Sequence, residues 1–390
     1  MNLKLTILAT SMLGASTSSA LAPVAPVFAE AFASEPNIAL WSRMIVTMPA
    51  IAVALAAPLM GVVTDRFGRK PVLVASLLLY LVAGTSGLWA PDLVTVIVGR
   101  FVLGIAVAGI FTAITAVIGD RYLGMERSRM IGLQSGAIGT ASVTFTILGG
   151  ILADQSWRAP FWVYLGVLLV LPMALTLAPD PPTDSVSPNS PTDEPVIGPR
   201  MRRLLLAVYA GIFAIQIGFI SAALQLPFQI RELTGGTTIA GLAIASMGIA
   251  FSVTSIVVQR ISWPLAPVGR IAVGFVGVGV GTSLLSQLSP LPLGIGLVIA
   301  GIGYGIIQPT LVVALNQGVP NTLRGRASGG FTTALFLGQF VAPFIAQPLG
   351  DLIGISPSFI VLGVGFIVLA GILGAIHRSQ QRRIPAARSA

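Results

Sequence analysis

The sequence has no cysteine and only one histidine, His377, among its 390 residues. Thiol catalysis, disulfide frameworks and zinc clusters therefore lack the side chains they need. Charged residues are also scarce, at 9% of the chain, whereas hydrophobic residues make up 55%. This balance leaves too little polar surface to cover a water-soluble globule. We predict an integral membrane protein that is not an enzyme and holds no cofactor and no metal.

Long apolar stretches recur along the whole chain. Each is close to the roughly 20 residues that an α-helix needs to cross a bilayer. The sequence therefore predicts an all-α membrane protein with twelve transmembrane helices, at residues 5–29, 43–63, 71–90, 93–118, 130–152, 160–178, 204–230, 238–258, 268–288, 291–315, 327–348 and 358–376. The short connections leave no room for a large soluble domain. They favour a monomer whose partners are the lipid bilayer and a small-molecule substrate, without nucleic acid.

A segment rich in Pro, Ser and Asp separates the spans into two sets of six. It is too polar to enter lipid and too rich in proline to continue a helix. We therefore predict an N-terminal six-helix bundle at 1–178, a cytosolic linker at 179–203, a C-terminal six-helix bundle at 204–378 and a cytosolic tail at 379–390. Residues 127–132 match 324–329, and the same offset of 197 residues carries Gly104 onto Gly301. These matches favour two pseudo-symmetric halves facing each other across a central cavity.

Lys and Arg are distributed unevenly between the two ends of the predicted spans. If both termini are cytosolic, 18 of these residues fall inside and only Arg43, Arg158 and Arg231 fall outside. The positive-inside rule favours this orientation. The first segment also has the basic start of a cleavable signal peptide, but its apolar character continues to Phe28 and favours a retained span. The Arg-rich composition and short loops indicate a bacterial cytoplasmic membrane.

Residues 61–73, between spans 2 and 3, read Gly-Val-Val-Thr-Asp-Arg-Phe-Gly-Arg-Lys-Pro-Val-Leu. This pattern resembles the G-x-x-x-D-R-x-G-R-[RK]-P signature of the major facilitator superfamily. An ordinary positive-inside loop would explain the basic residues but not the fixed spacing of Gly, Asp and Pro. The resemblance implies a gate that closes the cytosolic side while the cavity faces outward, formed here by Gly61, Asp65, Arg66, Gly68, Arg69 and Asp120.

The residues of this loop also have individual physical interpretations. Gly61 would let a neighbouring helix approach closely. Gly68 and Pro71 would make a tight reversal. The cationic side chains of Arg69 and Lys70 would hold the loop in the cytosol and pair with the two Asp residues of the gate.

Arg100 is the one basic residue that lies well inside a predicted span, away from its ends. Its surroundings, Arg100-Phe-Val-Leu-Gly104, resemble the R-F-x-x-G motif of proton-coupled members of the superfamily. A cation within a span should face protein or water and have a partner. Arg100 therefore either tunes a proton site or holds an anionic substrate group, or it is a structural arginine bonded to backbone carbonyls.

Spans 1, 4, 7 and 10 line the cavity in this superfamily, and helical periodicity selects their cavity faces. On span 7, Gln216 shares a stripe with Ile220 and Ala223, and Gln225 lies half a turn away. The predicted substrate-binding residues are Arg100, Phe111, Gln216, Tyr304, Gln308 and Gln339. Alternatively, such glutamines only join helices by hydrogen bonds.

Proton coupling usually needs a carboxylate that changes protonation as access alternates. All 13 acidic residues lie in loops or at span ends, and Glu30 is the candidate, together with Arg100. Span 5 ends in Gly149-Gly150 but lacks the Gly-Pro of the antiporter signature G-P-x-x-G-G.

The sequence therefore predicts a secondary active transporter, working by proton-coupled efflux of a drug-like or amphipathic compound. The alternative is a facilitator or symporter for a polar or anionic metabolite bound by Arg100. Two alternatives belong to other classes of function. An intramembrane enzyme would need a nucleophile and a base within the membrane, and the sequence offers neither. A scaffold protein would show no solute flux.

Overall fold

The computed structural model describes residues 3–177, 198–234, 236–261, 263, 265–320 and 323–383, and within these ranges every regular element is a helix. We number the spans 1 to 12 in chain order. Span 1 is broken into Leu3–Ser19, a 3₁₀ turn at Ala22–Val24 and Ala25–Ala31. The other N-terminal spans are Ile38–Phe67, Arg69–Gly84 with Ser86–Trp89, Leu93–Arg121, Gly124–Ala153, and Ala159–Gly166 with Val167–Leu175. Spans 7 to 12 are Pro199–Thr234, Thr237–Arg260, Pro267–Leu284, Pro290–Gly318, Arg324–Ile353 and Ile355–Arg383.

The predicted all-helical membrane fold is confirmed. Eleven helices of the described residues are long and apolar enough to cross a membrane. The shorter apolar segment Ala159–Leu175 occupies the position of the predicted sixth span. Most of the predicted linker lies outside the described residues, but span 7 begins at Pro199, inside the predicted linker, and span 12 continues to Arg383, inside the predicted tail.

The spans pack as two groups of six that meet along two seams. In the first half, span 4 packs against spans 2 and 3, and span 1 packs against spans 4 and 5. In the second half, span 10 packs against spans 8 and 9, and span 7 packs against span 11. The halves meet where span 5 contacts span 8 and where span 2 contacts span 11.

The internal repeat extends to individual helix contacts. A methyl group added at Gly104 in span 4 would collide with the carbonyl oxygen of Pro49 in span 2. A methyl group added at Gly301 in span 10 would lie 2.5 Å from the carbonyl oxygen of Met247 in span 8. Small residues at these positions let the helices approach closely in lipid. Gly104 and Gly301, which match in sequence, therefore make equivalent close helix contacts in the two halves.

The two ends of the bundle differ in charge and in how the halves meet. We call the end with the loops between spans 2–3, 4–5, 8–9 and 10–11 the basic end, since these loops carry residues such as Arg69, Arg127, Arg260 and Arg326. The other end is called the opposite end. There, Glu30 and Asp154 of the first half bind Arg231 and Thr237 of the second.

Close to the basic end, the helices that form the seams have open space beside them. A methyl group added at Gly132 or Gly136 in span 5, or at Gly325 or Gly329 in span 11, would meet no heavy atom within 4 Å. The contacts of Glu30 and Asp154 thus join the halves at the opposite end, whereas these four glycines near the basic end lie beside open space.

Spans 9 and 12 pack backbone against backbone, which yields a test of the fold. A methyl group at Gly363 would lie 2.5 Å from the carbonyl oxygen of Gly279, whereas one at Gly365 would meet nothing within 4 Å. We expect Gly363→Ala to lower the free energy of unfolding by roughly 1–2 kcal/mol through overpacking. Gly365→Ala should leave it unchanged or raise it by up to about 1 kcal/mol, because Ala is the better helix former. Thermal unfolding of the purified variants in detergent measures both, and equal effects would contradict this packing.

Candidate functional site

Arg100 is fully buried within the first half and binds three neighbouring spans. Its Nε donates to the carbonyl of Ile45 in span 2 at 2.9 Å. Its Nη2 donates to the carbonyl of Thr17 in span 1, and its Nη1 donates to the Tyr164 hydroxyl in span 6 at 2.7 Å. The Tyr164 hydroxyl in turn lies 3.2 Å from the Thr17 carbonyl. One guanidinium therefore links span 4 to spans 1, 2 and 6.

Both carbonyls that Arg100 binds have lost their usual helical donor. In a helix, the Ile45 carbonyl would accept from residue 49, but residue 49 is proline and has no N–H. The Thr17 carbonyl would accept from Leu21, but span 1 breaks there and the Leu21 N–H bonds to Ser18 instead. An unpaired carbonyl inside a membrane is costly. Arg100 supplies the missing donors, and its surroundings thus match the structural alternative rather than an exposed anion site.

The loop between spans 2 and 3 reverses at Gly68, whose φ of 89° lies in the left-handed region that favours glycine. Arg69 then binds Asp120 at the end of span 4, with its Nε 2.9 Å from the carboxylate, and approaches Asp65 at 3.8 Å. The exposed guanidinium of Arg66 lies 5.5 Å from the Phe67 ring. All of these contacts lie within the first half.

Three interpretations of this loop require correction. A methyl group added at Gly61 would meet no heavy atom within 4 Å, so Gly61 is not a point of close helix packing in this structure. Pro71 lies in the first turn of span 3 and takes no part in the reversal. Lys70 donates to the carbonyl of Leu177 at the end of span 6, at 2.7 Å, instead of pairing with the two aspartates.

The six predicted substrate-binding residues differ in their burial. Three are buried, with exposed fractions of 0% for Arg100, 8% for Gln216 and 2% for Tyr304. The ring of Tyr304 packs edge-on against Phe219, with centroids 5.3 Å apart. The other three are half-buried: Phe111, whose ring covers Gly14 of span 1, Gln308 and Gln339.

The two glutamines of span 7 both lie against span 11, Gln216 beside Gly338 and Gln225 beside Ala346. Gln225 is fully buried; its amide nitrogen donates to the Ala346 carbonyl at 2.6 Å, and its amide oxygen accepts from Ser358. It therefore joins spans 7, 11 and 12. Ile220 and Ala223, on the stripe of Gln216, line a pocket between the halves.

This pocket combines a wall of hydroxyl groups with an apolar wall. The first half contributes the hydroxyl residues Ser18, Ser19, Ser142 and Thr146 from spans 1 and 5, together with the apolar Ala22, Val46 and Val143. The second half contributes chiefly Phe219, Ile220, Ala223 and Leu224 from span 7 and Ile244 and Ala245 from span 8. No charged residue lines it. Sequence analysis missed this pocket, and the only signal was the run of small hydroxyl residues from Ser16 to Ser19.

At the opposite end, the carboxylate of Asp154 in the first half caps the N-terminus of span 8 in the second. It accepts from the backbone N–H groups of Thr237 and Thr238, at 2.7 and 3.2 Å, and from both of their hydroxyls. Burial tends to raise the pKa of Asp154, but these hydrogen bonds outweigh it and lower the pKa to about 2. Beside it, the guanidinium of Arg231 lies 2.6 Å from the Glu30 carboxylate, which is 60% exposed.

Comparison with known proteins identifies the architecture. The family model described as Major Facilitator Superfamily matches residues 7–343. Over 92% of its length, the chain is 23% identical to the multi-drug resistance efflux pump PmrA of Streptococcus pneumoniae, covering 91% of that protein. It is 28% identical to the tetracycline resistance protein, class C, of Escherichia coli, covering 89% of each chain. A crystal structure of a D-xylose-proton symporter shares the fold, with a TM-score of 0.77 and 16% identity over 95% of this chain and 96% of that one.

The arrangement around Arg100 predicts an energetic coupling to Pro49. We expect Arg100→Met to destabilise the protein by roughly 2–4 kcal/mol, because it leaves the buried Ile45 carbonyl unpaired and the Thr17 carbonyl with Tyr164 as its remaining donor. In a Pro49→Ala background, residue 49 regains an N–H for the Ile45 carbonyl, so the same substitution should cost about 1 kcal/mol less. A double-mutant cycle on unfolding in mixed micelles measures the difference. Strictly additive effects would show that the two residues do not serve the same carbonyl.

The contact of Asp154 with span 8 predicts how the opposite end responds to mutation. Spin labels at Ser34→Cys and Gln287→Cys, which are exposed residues of the two halves, report the separation by electron paramagnetic resonance without a background thiol. Asp154→Asn should shift the distances to longer values. Asp92→Asn is the matched control, because Asp92 at the same end caps its own span 4 through Thr95; an equal shift would argue against the contact.

The same labels test the pH dependence of this contact. Since the pKa of Asp154 is held at about 2 while the contact exists, below its usual 3.8, protonation favours separation of the halves. The distances should stay constant from neutral pH down to about 4 and lengthen only as the pH falls towards 2. Lengthening near pH 6 would assign the response to another group.

Proposed function

This chain belongs to the major facilitator superfamily, and we propose that it is a proton-coupled exporter of small amphipathic compounds. It is a membrane transporter and not an enzyme. The observation that carries the proposal is the pocket between the halves, which joins hydroxyl groups to an apolar wall and holds no charged residue. With a cavity of about 60 Å³, this lining suits one end of an amphipathic compound that carries a few polar groups. The names of two relatives, a multi-drug efflux pump and a tetracycline resistance protein, support export.

We propose that the basic end faces the cytosol of a bacterium, with the protein as a monomer in the cytoplasmic membrane and both termini inside. The distribution of Lys and Arg supports this orientation, because 18 of them would be inside and three outside. In this orientation the contacts of Asp154 and Glu30 lie on the outer side, which supports an inward-facing state. Asp154 and Glu30 then hold the outer side closed.

Alternating access then requires a second set of contacts that closes the cytosolic side. We assign this role to the gate formed by Asp65, Arg69 and Asp120, helped by Arg66 and by the turn at Gly68. The ion pair between Arg69 and Asp120 fixes the ends of spans 3 and 4 as one unit. Open space beside Gly61 leaves room for the second half to approach when that side closes.

Proton coupling is assigned to Glu30. Asp154 is unsuited to it, because its pKa of about 2 keeps it ionised across the physiological range. Glu30 is 60% exposed, and its ion pair with Arg231 joins the two halves. Protonation would remove that pair. Arg100 contributes indirectly, since it fixes the broken span 1 that carries Glu30 at its far end.

Phe111, Gln308 and Gln339 are proposed as further contacts of the substrate, because each keeps part of its surface exposed. Arg100, Gln216 and Tyr304 would reach a substrate only after a rearrangement. The alternative function, binding of an anionic metabolite at Arg100, has no support from the fully enclosed guanidinium. It remains a measurable outcome of the experiment below.

Transport into proteoliposomes with an acidic interior tests the proposal. Rhodamine 6G added outside should accumulate in the lumen through inverted molecules, and a protonophore should abolish the accumulation. Protein-free vesicles correct for passive uptake. Equilibration without accumulation would indicate a facilitator, and absence of flux would contradict export of amphiphiles.

Glu30→Gln isolates coupling within the same assay. It should abolish accumulation but leave downhill equilibration, because the pocket is intact. The matched control is Glu35→Gln, which alters an exposed carboxylate in the loop that follows span 1. Accumulation that survives in Glu30→Gln would assign coupling to another group.

A further inference from the structure

The hydroxyl wall of the pocket between the halves offers many hydrogen-bond acceptors and few donors. Ser18 donates its hydroxyl hydrogen to the Val46 carbonyl at 3.1 Å, and Thr146 donates to the Ser142 carbonyl at 2.8 Å. The hydroxyls of Ser19 and Ser142 lie 2.7 Å apart, so one of them donates its hydrogen to the other. The protein itself therefore uses three of the four hydroxyl hydrogens of this wall.

The oxygens of these four hydroxyls, in contrast, keep unused capacity to accept hydrogen bonds. A hydroxyl group has one hydrogen but two lone pairs, so each of the four oxygens still has at least one lone pair to offer. The facing wall, with Phe219, Ile220 and Leu224, has no polar side chain with which to balance this excess of acceptors. A ligand carbonyl would find a single hydroxyl donor here, whereas a ligand N–H would find four acceptor oxygens.

We propose that this hydroxyl wall selects substrates that carry an N–H donor on an apolar body over analogues whose nitrogen is fully alkylated. The inference rests on the proposed function and adds the substrate class to it. A buried polar wall rejects an analogue that lacks the complementary group, because its own polar atoms are then left unpaired. Thr146 and Ser142 are thus positioned as specificity residues.

The position of the pocket makes this selection part of the transport cycle. Thr146 lies one helical turn from Gly150, whose carbonyl accepts from the Thr237 hydroxyl at 2.8 Å. The pocket is therefore directly beneath the contacts that hold the opposite end closed. A substrate bound there lies against both halves, since the hydroxyl wall and the apolar wall belong to different halves.

Two cationic dyes of nearly the same shape test the proposal. Rhodamine 6G has two N–H groups, and tetramethylrhodamine ethyl ester has none. Using the proteoliposome assay, we expect the wild-type protein to transport rhodamine 6G with a KM about three- to tenfold lower, which corresponds to one net hydrogen bond. Thr146→Val keeps the side-chain shape and removes the hydroxyl, and Ser142→Ala removes a second one. Each should raise the KM for rhodamine 6G and leave that for the ester unchanged.

Matched controls lie on the same helix. Thr144→Val and Ser135→Ala remove exposed hydroxyls that bond only to carbonyls of their own helix, and neither residue lines the pocket. Both should retain the preference of the wild type. Transport of both dyes with no preference, or with the same preference in Thr146→Val and Ser142→Ala as in the controls, would overturn the substrate class but not the export function. Transport of neither dye by the wild type would overturn both.

Discussion

Every backbone carbonyl inside a membrane needs a hydrogen-bond donor, and two proline-rich helices of the first half fail to supply their own. Pro49 deprives Ile45 of its donor, and the break in span 1 deprives Thr17. Arg100 of span 4 donates hydrogen bonds to both carbonyls. This clamp thereby supports the break in span 1, next to which Ser18 and Ser19 line the pocket.

The two ends of the molecule carry different kinds of polar contact. At the opposite end, a carboxylate from one half caps a helix of the other, so the contact itself spans the seam. At the basic end, the ion pair of Arg69 with Asp120 stays within one half. This pair stiffens the half without tying it to its neighbour. The structure thereby allows the halves to part at one end while they remain joined at the other.

Local signals in the sequence predicted most of the fold and part of the site. The lengths of the apolar stretches predicted the spans. The signature between spans 2 and 3 predicted the turn at Gly68 and the pairing of Arg69 with Asp120. The role of Arg100 could not be decided in this way, because its partners, near Pro49 and in the break of span 1, are remote along the chain. The pocket escaped notice for the same reason, since single serines and threonines are common in spans and acquire a shared role only when spans 1 and 5 pack together.

The cap on span 8 also bears on the surroundings in which the protein can operate. A seal built on histidine would weaken in mildly acidic media, and a seal built on exposed ion pairs would weaken in brine. Asp154 keeps its charge down to a pKa of about 2 and is held by short hydrogen bonds to Thr237 and Thr238. If the opposite end faces outward, the cap formed by Asp154 would keep its charge in mildly acidic media, whereas the exposed ion pair of Glu30 with Arg231 at the same end would weaken in brine.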